Sequence, residues 1–196
     1  MTDRSAAERI KHRRENAVDP ETFLLEAEAI TPTADDADFR FTDAYARAIK
    51  AQLEAIRELG VDEHHIAAIF DADVEDVSAV ERPNPAYKIY HTIRNWSSDA
   101  ALMLDVAMDR ALADRSDEWA DVPGGQRHRI LKSLRLFQDE CLFCGGPASV
   151  GEPIIRETPT GVHELTPFQC GECDRLFAEF MMDEVSDDTI TSRRDG

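Results

Sequence analysis

Apolar residues recur at helical spacing through most of the first 140 positions of this chain and turn to alternation only afterwards. Asp19-Pro20-Glu21 reads as a helix start, Asp19 the cap and Pro20 in the first turn, ahead of Phe23, Leu24, Leu25 and Ala27. Thr-Pro-Thr and Asp-Asp within residues 31–41 read as a linker. Thr42 then caps a helix whose apolar face is Tyr45, Ile49, Leu53, Ile56 and Leu59, with Gly60 as its stop. Ile66, Ala67, Ile69 and Phe70 predict a second helix, and Val74, Val77 and Val80 a third, ended by Pro83 and Pro85. A long helical pattern follows from about Ala86 to Asp114, carrying Tyr87, Tyr90, Ile93, Trp96, Ala100, Met103, Leu104, Ala107, Ala111 and Leu112. Pro123-Gly124-Gly125 breaks the chain before a basic amphipathic helix over about 126–139.

Beyond that helix the pattern suits strands. Val150, Ile154 and Ile155, a turn at Thr158-Pro159-Thr160-Gly161, then Val162, Leu165 and Phe168 predict a β-hairpin, and Leu176–Phe180 a third short strand. The expected fold is therefore mainly α, a helical body with a small C-terminal β module. It divides into a basic, flexible N-terminal segment with one short helix (1–41), a helical domain (42–139), the β module (140–182) and an acidic tail (183–196).

Charge changes the picture. Forty acids against 22 bases give −18, and only Lys11, Lys50, Lys88 and Lys132 are lysines. Acid-rich and lysine-poor, the composition resembles that of proteins from salt-loving archaea, where a carboxylate surface holds water and cations. At molar salt the screening length is about 3 Å, so the net charge does not exclude a nucleic-acid partner. An ordinary acidic interaction protein is the alternative. No apolar run approaches the roughly 20 residues of a membrane span, and charges throughout the first twenty residues do not suit a secretory signal. The expected location is cytoplasmic, with no membrane partner.

All four cysteines fall into two pairs, Cys141-Leu142-Phe143-Cys144 and Cys170-Gly171-Glu172-Cys173, with 25 residues between them. Two intervening residues let both thiolates face one ion while backbone N–H groups turn toward the sulfurs, and Gly145 and Gly171 permit the bend. So short a segment buries little core, and a metal supplies the missing stability. Residues 141–181 thereby resemble the zinc-ribbon family, two knuckles bridged by hairpin strands. The resemblance implies Cys141, Cys144, Cys170 and Cys173 as ligands of one Zn2+ per chain, in a closed, structural site. Iron in a rubredoxin-like site has the same ligand set. Two disulfides do not suit a reducing cytosol, and a redox pair leaves the second pair unexplained. His163, between the pairs, is surplus to a four-sulfur site.

Ile66-Ala67 opening one helix, Phe70 closing it, a three-residue turn and Val77 inside the next give residues 53–82 a resemblance to helix-turn-helix DNA-binding domains. That resemblance implies a tri-helical core with Val74–Arg82 as recognition helix. Asp71 stands where the family has glycine, and Glu75, Asp76 and Glu81 would face phosphate, which repels them. A three-helix core without groove contact is the other reading.

Arg127, Arg129, Lys132 and Arg135, with His128, form a cationic cluster beside the first cysteine pair. These four cations are the candidate phosphate contacts. They would serve equally to neutralise a tetrathiolate or to pair with Asp139 and Glu140. Arg9, Lys11, Arg13 and Arg14 form a lesser cluster. Tyr87, Tyr90 and Trp96 suggest core, or a homodimer seam through residues 86–114. Walker loop, dinucleotide fingerprint and HExxH are all absent from the sequence, and Val162-His163-Glu164 does not supply the histidine of a ββα-metal nuclease. The expectation is a non-enzymatic, zinc-binding transcription regulator that contacts DNA. The alternatives are an adaptor that docks a protein partner and an iron electron carrier.

Overall fold

The structure, a computed structural model, describes residues 11, 15–34, 38–158 and 161–181. The acidic tail and, apart from Lys11, the N-terminal basic cluster lie outside the described residues, as do Pro159 and Thr160 of the expected turn. Helix α1 (Pro20–Glu26) starts as its sequence requires, Asp19 accepting from the Thr22 N–H at 2.9 Å. The stretch read as a linker pairs two short antiparallel strands, β1 (Ile30–Pro32) and β2 (Phe39–Phe41). Thr42 caps α2 (Asp43–Leu59), which buries Tyr45, Ile49, Leu53 and Ile56 and ends at Gly60 with φ 80°. Helix α3 (Glu63–Phe70) is capped by Asp62 and closed by Asp71 in the left-handed conformation, at φ 50°. Asp71 thus does what glycine would do there, aspartate being among the residues that tolerate this region.

The fold is mixed α/β, not mainly α. Among the described residues there are five α-helices and three antiparallel sheets. The third helix of the expected tri-helical core is absent. Val74–Asp76 is a single 3-10 turn, and Val77–Ala79 is strand β3. The first ten residues of the expected long helix form a hairpin, β4 (Ala86–Ile89) and β5 (Thr92–Asn95), paired with β3 in the order β3-β4-β5. Tyr90, in the two-residue connection, takes φ 54°. Tyr87, Ile89, Thr92 and Ile93 are β-branched or aromatic, and packing of Tyr87 and Ile89 into the core overrides the helical spacing.

Helix α4 (Asp99–Ala113) begins only after Ser98, whose hydroxyl accepts from the Ala101 N–H. It is the central helix of the body, with α2, α3, α5 (Gly124–Leu134) and β9 (Leu176–Met181) packed around it. Eleven of its 15 residues are buried, leaving it little apolar surface for the homodimer seam expected over 86–114. No helix among the described residues is long and apolar enough to cross a membrane.

The C-terminal β module keeps its expected hairpin and third strand. Strands β6 (Ala148–Val150) and β7 (Ile154–Thr158) pair with opposite ends of one edge of β8 (Gly161–Cys170), and β9 pairs with the other edge. Phe168, Phe177 and Ala178 join the same apolar core as α1 to α5.

Candidate metal centre

The two Cys-x-x-Cys pairs form matching knuckles. In each, the first cysteine's carbonyl accepts from the N–H four residues on, Gly145 to Cys141 at 2.8 Å and Asp174 to Cys170 at 3.1 Å. Each first cysteine's N–H in turn reaches the carbonyl five residues on, Gly146 and Arg175, at 2.7 and 3.0 Å. Both bends need a positive φ, which Gly145 supplies at 82° and Asp174 at 55°. Backbone N–H groups point at sulfur, Gly146 at Cys144 and Glu172 at Cys170, both at 3.4 Å. The register Ala148↔Cys170 brings the second knuckle beside the first.

All four sulfurs lie within 4.8 Å of one another, Cys141–Cys173 at 3.8 Å and Cys144–Cys170 at 3.5 Å. Four thiolates about 2.3 Å from one ion at tetrahedral corners sit about 3.8 Å apart, so the cluster has the dimensions of a tetrathiolate site. The four cysteines are positioned to hold a metal ion. Burial pushes the Cys141 thiol up to about 12 against the N–H groups of Phe143 and Cys144. At Cys173 burial also pushes upward, but the N–H and guanidinium of Arg175 outweigh it and hold the thiol down at about 6. His163 lies on β8 opposite Arg156 and is not part of the sulfur cluster.

The module is clamped to the helical body. Arg57 of α2 donates to the Phe143 carbonyl at 3.1 Å and lies 5.1 Å over its ring, with Arg175 over the same ring at 4.9 Å. Ser98 Oγ donates to the Leu176 carbonyl, and Arg135 Nη1 to that of Phe177 at 3.1 Å.

The cationic cluster is split. Arg129 and Lys132 are exposed on α5. Arg127 and Arg135 are only 6% and 3% exposed and serve the interior. Arg135 pairs with Asp105, which also accepts from the Trp96 indole N–H at 2.7 Å. One helical turn on, Asp109 accepts from the Trp119 indole at 2.9 Å. Burial raises the Asp109 carboxyl, opposed by Trp119 and by the nearby charge of Arg127. Sequence reasoning missed these buried carboxylates. Their signal was present: Asp105 and Asp109 sit four apart in the otherwise apolar run from Ala100 to Asp109, and Arg127 and Arg135 lie eight apart, on the next helix and in the 3-10 turn that follows it.

Neither a curated protein nor a solved structure matches the chain. Residues 19–136 match the family described as "Family of unknown function (DUF8054) central domain", a span that holds α1 to α5 and stops short of the four cysteines. Through that central domain, the chain belongs to the DUF8054 family of unknown function.

Proposed function

We propose that this chain is a non-catalytic protein-interaction module whose ribbon, held rigid by one zinc ion, presents an apolar strip to a protein partner. Zinc fits the four sulfurs because its filled d-shell accepts a closed tetrahedral site, which leaves no position for substrate. The observation that carries the reading is on the ribbon sheet. Ile155, Val162 and Val150 are 70%, 66% and 52% exposed. The strand register puts them on the same face as the buried Phe168, with the exposed Glu164 opposite Ile155 on that face, so an apolar strip carrying one acid continues the core face outward past the body. Apolar side chains gathered on one exposed sheet face mark an interaction surface.

Support for DNA contact is thinner. Two of the four candidate phosphate contacts are buried, Arg127 near Asp109 and Arg135 in an ion pair with Asp105, and the segment expected to enter a groove is a 3-10 turn and a strand. Arg129 and Lys132 remain as surface cations in a chain of net charge −18.

The test is affinity recovery from lysate at high potassium, run in parallel with and without nuclease, comparing the native chain with I155D/V162D. A stoichiometric protein recovered by the native chain and lost by the variant, at equal zinc content and unfolding midpoint, supports the adaptor. Recovery of nucleic acid that R129E/K132E abolishes would replace it with the regulator.

A further inference from the structure

We propose that occupancy of the four-cysteine centre is relayed through β9 into the interior of the central domain, making the ribbon a metal-responsive latch on α4. The inference rests on the reading that the cysteines hold zinc. Its path is continuous. Phe143 lies between the two ligands of the first knuckle, and its ring is parallel to that of Phe177, 6.3 Å away at 7°. Phe177 is fully buried, and its carbonyl takes the Nη1 of Arg135. The Nε and Nη2 edge of that guanidinium donates to Asp105, and Asp105 accepts from the Trp96 indole. Beside this line, the Ser98 hydroxyl has two duties. It caps α4 through the Ala101 N–H and donates to the Leu176 carbonyl of β9.

The coupling follows from where β9 begins. It starts three residues after Cys173, and the intervening Arg175 closes the second knuckle by accepting from the Cys170 N–H. Four thiols without an ion lose the bonds that fix both knuckles, and a module this small has little core to replace them. Movement of the knuckles then draws on Phe177 and Leu176. Withdrawal of the Phe177 carbonyl would leave an Nη1 of a buried arginine without its partner, a costly state. The latch is therefore either engaged or released, and release is felt at Trp96. Trp119 bonds to Asp109 and packs on Phe23, away from β9, which makes it an internal control.

The experiment is fluorine NMR of the whole chain labelled with 5-fluorotryptophan, with the two signals assigned by Trp96→Phe and Trp119→Phe. Zinc is quantified, then removed by a chelator at high salt. The expected result is a shift or broadening of the Trp96 signal with Trp119 unmoved, reversed by zinc. By reciprocity, D105N/R135Q, which removes both buried charges together, binds zinc about tenfold more weakly while Trp96 becomes insensitive to the chelator. Complete zinc loss with Trp96 unmoved overturns the inference and leaves the metal site standing. Collapse of both signals to unfolded positions also overturns it, because the ion would then hold the whole chain. A chain that takes up no zinc sinks the metal reading and the latch together.

Discussion

Arg135 and Asp105 meet inside the protein as a two-pronged ion pair, Nε to Oδ1 at 2.7 Å and Nη2 to Oδ2 at 2.8 Å. Asp105 is fully buried, so salt does not screen the pair as it would a surface one. Removing one partner leaves the other charged and unpaired in the interior. Arg135→Ala and Asp105→Ala should each destabilise by about 3–5 kcal/mol. The double variant should lose less than the sum of the two, with a coupling of about 2–3 kcal/mol. Chemical denaturation at two potassium concentrations measures both quantities. A coupling that vanished at high salt would mean the pair is open to solvent.

Gly124 begins α5 against the end of α3. A Cβ there would lie 2.3 Å from the carbonyl carbon and oxygen of Phe70, which are backbone atoms that cannot rotate away. Gly125 has nothing within 4 Å of the same position. Gly124→Ala should therefore cost about 1–3 kcal/mol as the helices are forced apart. Gly125→Ala should be neutral or stabilise by up to about 1 kcal/mol, through helix propensity. Paired thermal melts decide it, and equal effects at the two sites would contradict the close approach.

What could be read from the sequence divides along physical lines. Caps and stops were legible, because Asp19, Thr42 and Gly60 act on backbone groups within a few residues. The gathering of the four cysteines was legible too, since the geometry of a Cys-x-x-Cys knuckle is local. The stretch from Val74 to Asn95 was not. Its apolar spacing fits a helix, but Tyr87 and Ile89 are buried by partners far along the chain. Nor was the direction of the basic helix. Arg127 and Arg135 look like surface charges until α4 places Asp109 and Asp105 beside them, and the one signal of this in the sequence lies in the spacing of those two carboxylates on α4, not in the basic helix itself.

His128 gives the protein an acid-side weakness. Its ring is set between Phe70 and Trp96, with centroids at 5.1 and 5.5 Å, and its Nε2 has no hydrogen-bond partner among the described residues. Burial lowers its pKa to about 4, and Arg135, Arg94 and Lys132 press the same way against Asp105. A base depressed in the folded state contributes stability above its unfolded value of about 6.5 and loses it as pH falls toward 4. The loss across that window is on the order of 3 kcal/mol. His128→Phe should flatten this slope. Acid also releases metal from thiolates, so the quantity to measure is the difference between native and variant, which shares that term. Identical slopes would mean the ring is open to water.

Loss of one ligand should act on the ribbon before the body. Cys170→Ser removes a buried sulfur at the register point where β6 meets β8. It should abolish stoichiometric zinc and expose the ribbon's amides, which elemental analysis and hydrogen exchange would report. Cobalt(II) taken up by the native chain should give the intense visible bands of a tetrahedral thiolate site, absent in the variant. Full zinc content in Cys170→Ser would rule out the four-sulfur centre.

Ile155 and Val162 give the last prediction, because they are the residues whose presence stability does not explain. Each side chain stands largely in water on the outer part of the ribbon sheet. Replacing exposed side chains away from caps, cores and ion pairs ordinarily changes stability by less than about 0.5 kcal/mol. Threonine keeps the β-branched shape that suits a strand and removes much of the apolar surface. I155T/V162T should therefore melt within that margin of the native chain and bind zinc equally. If the strip exists to meet a partner, the same double variant loses the partner at unchanged stability. A large drop in melting temperature would show instead that the strip is covered within the chain, and the interaction reading would lose the surface it depends on.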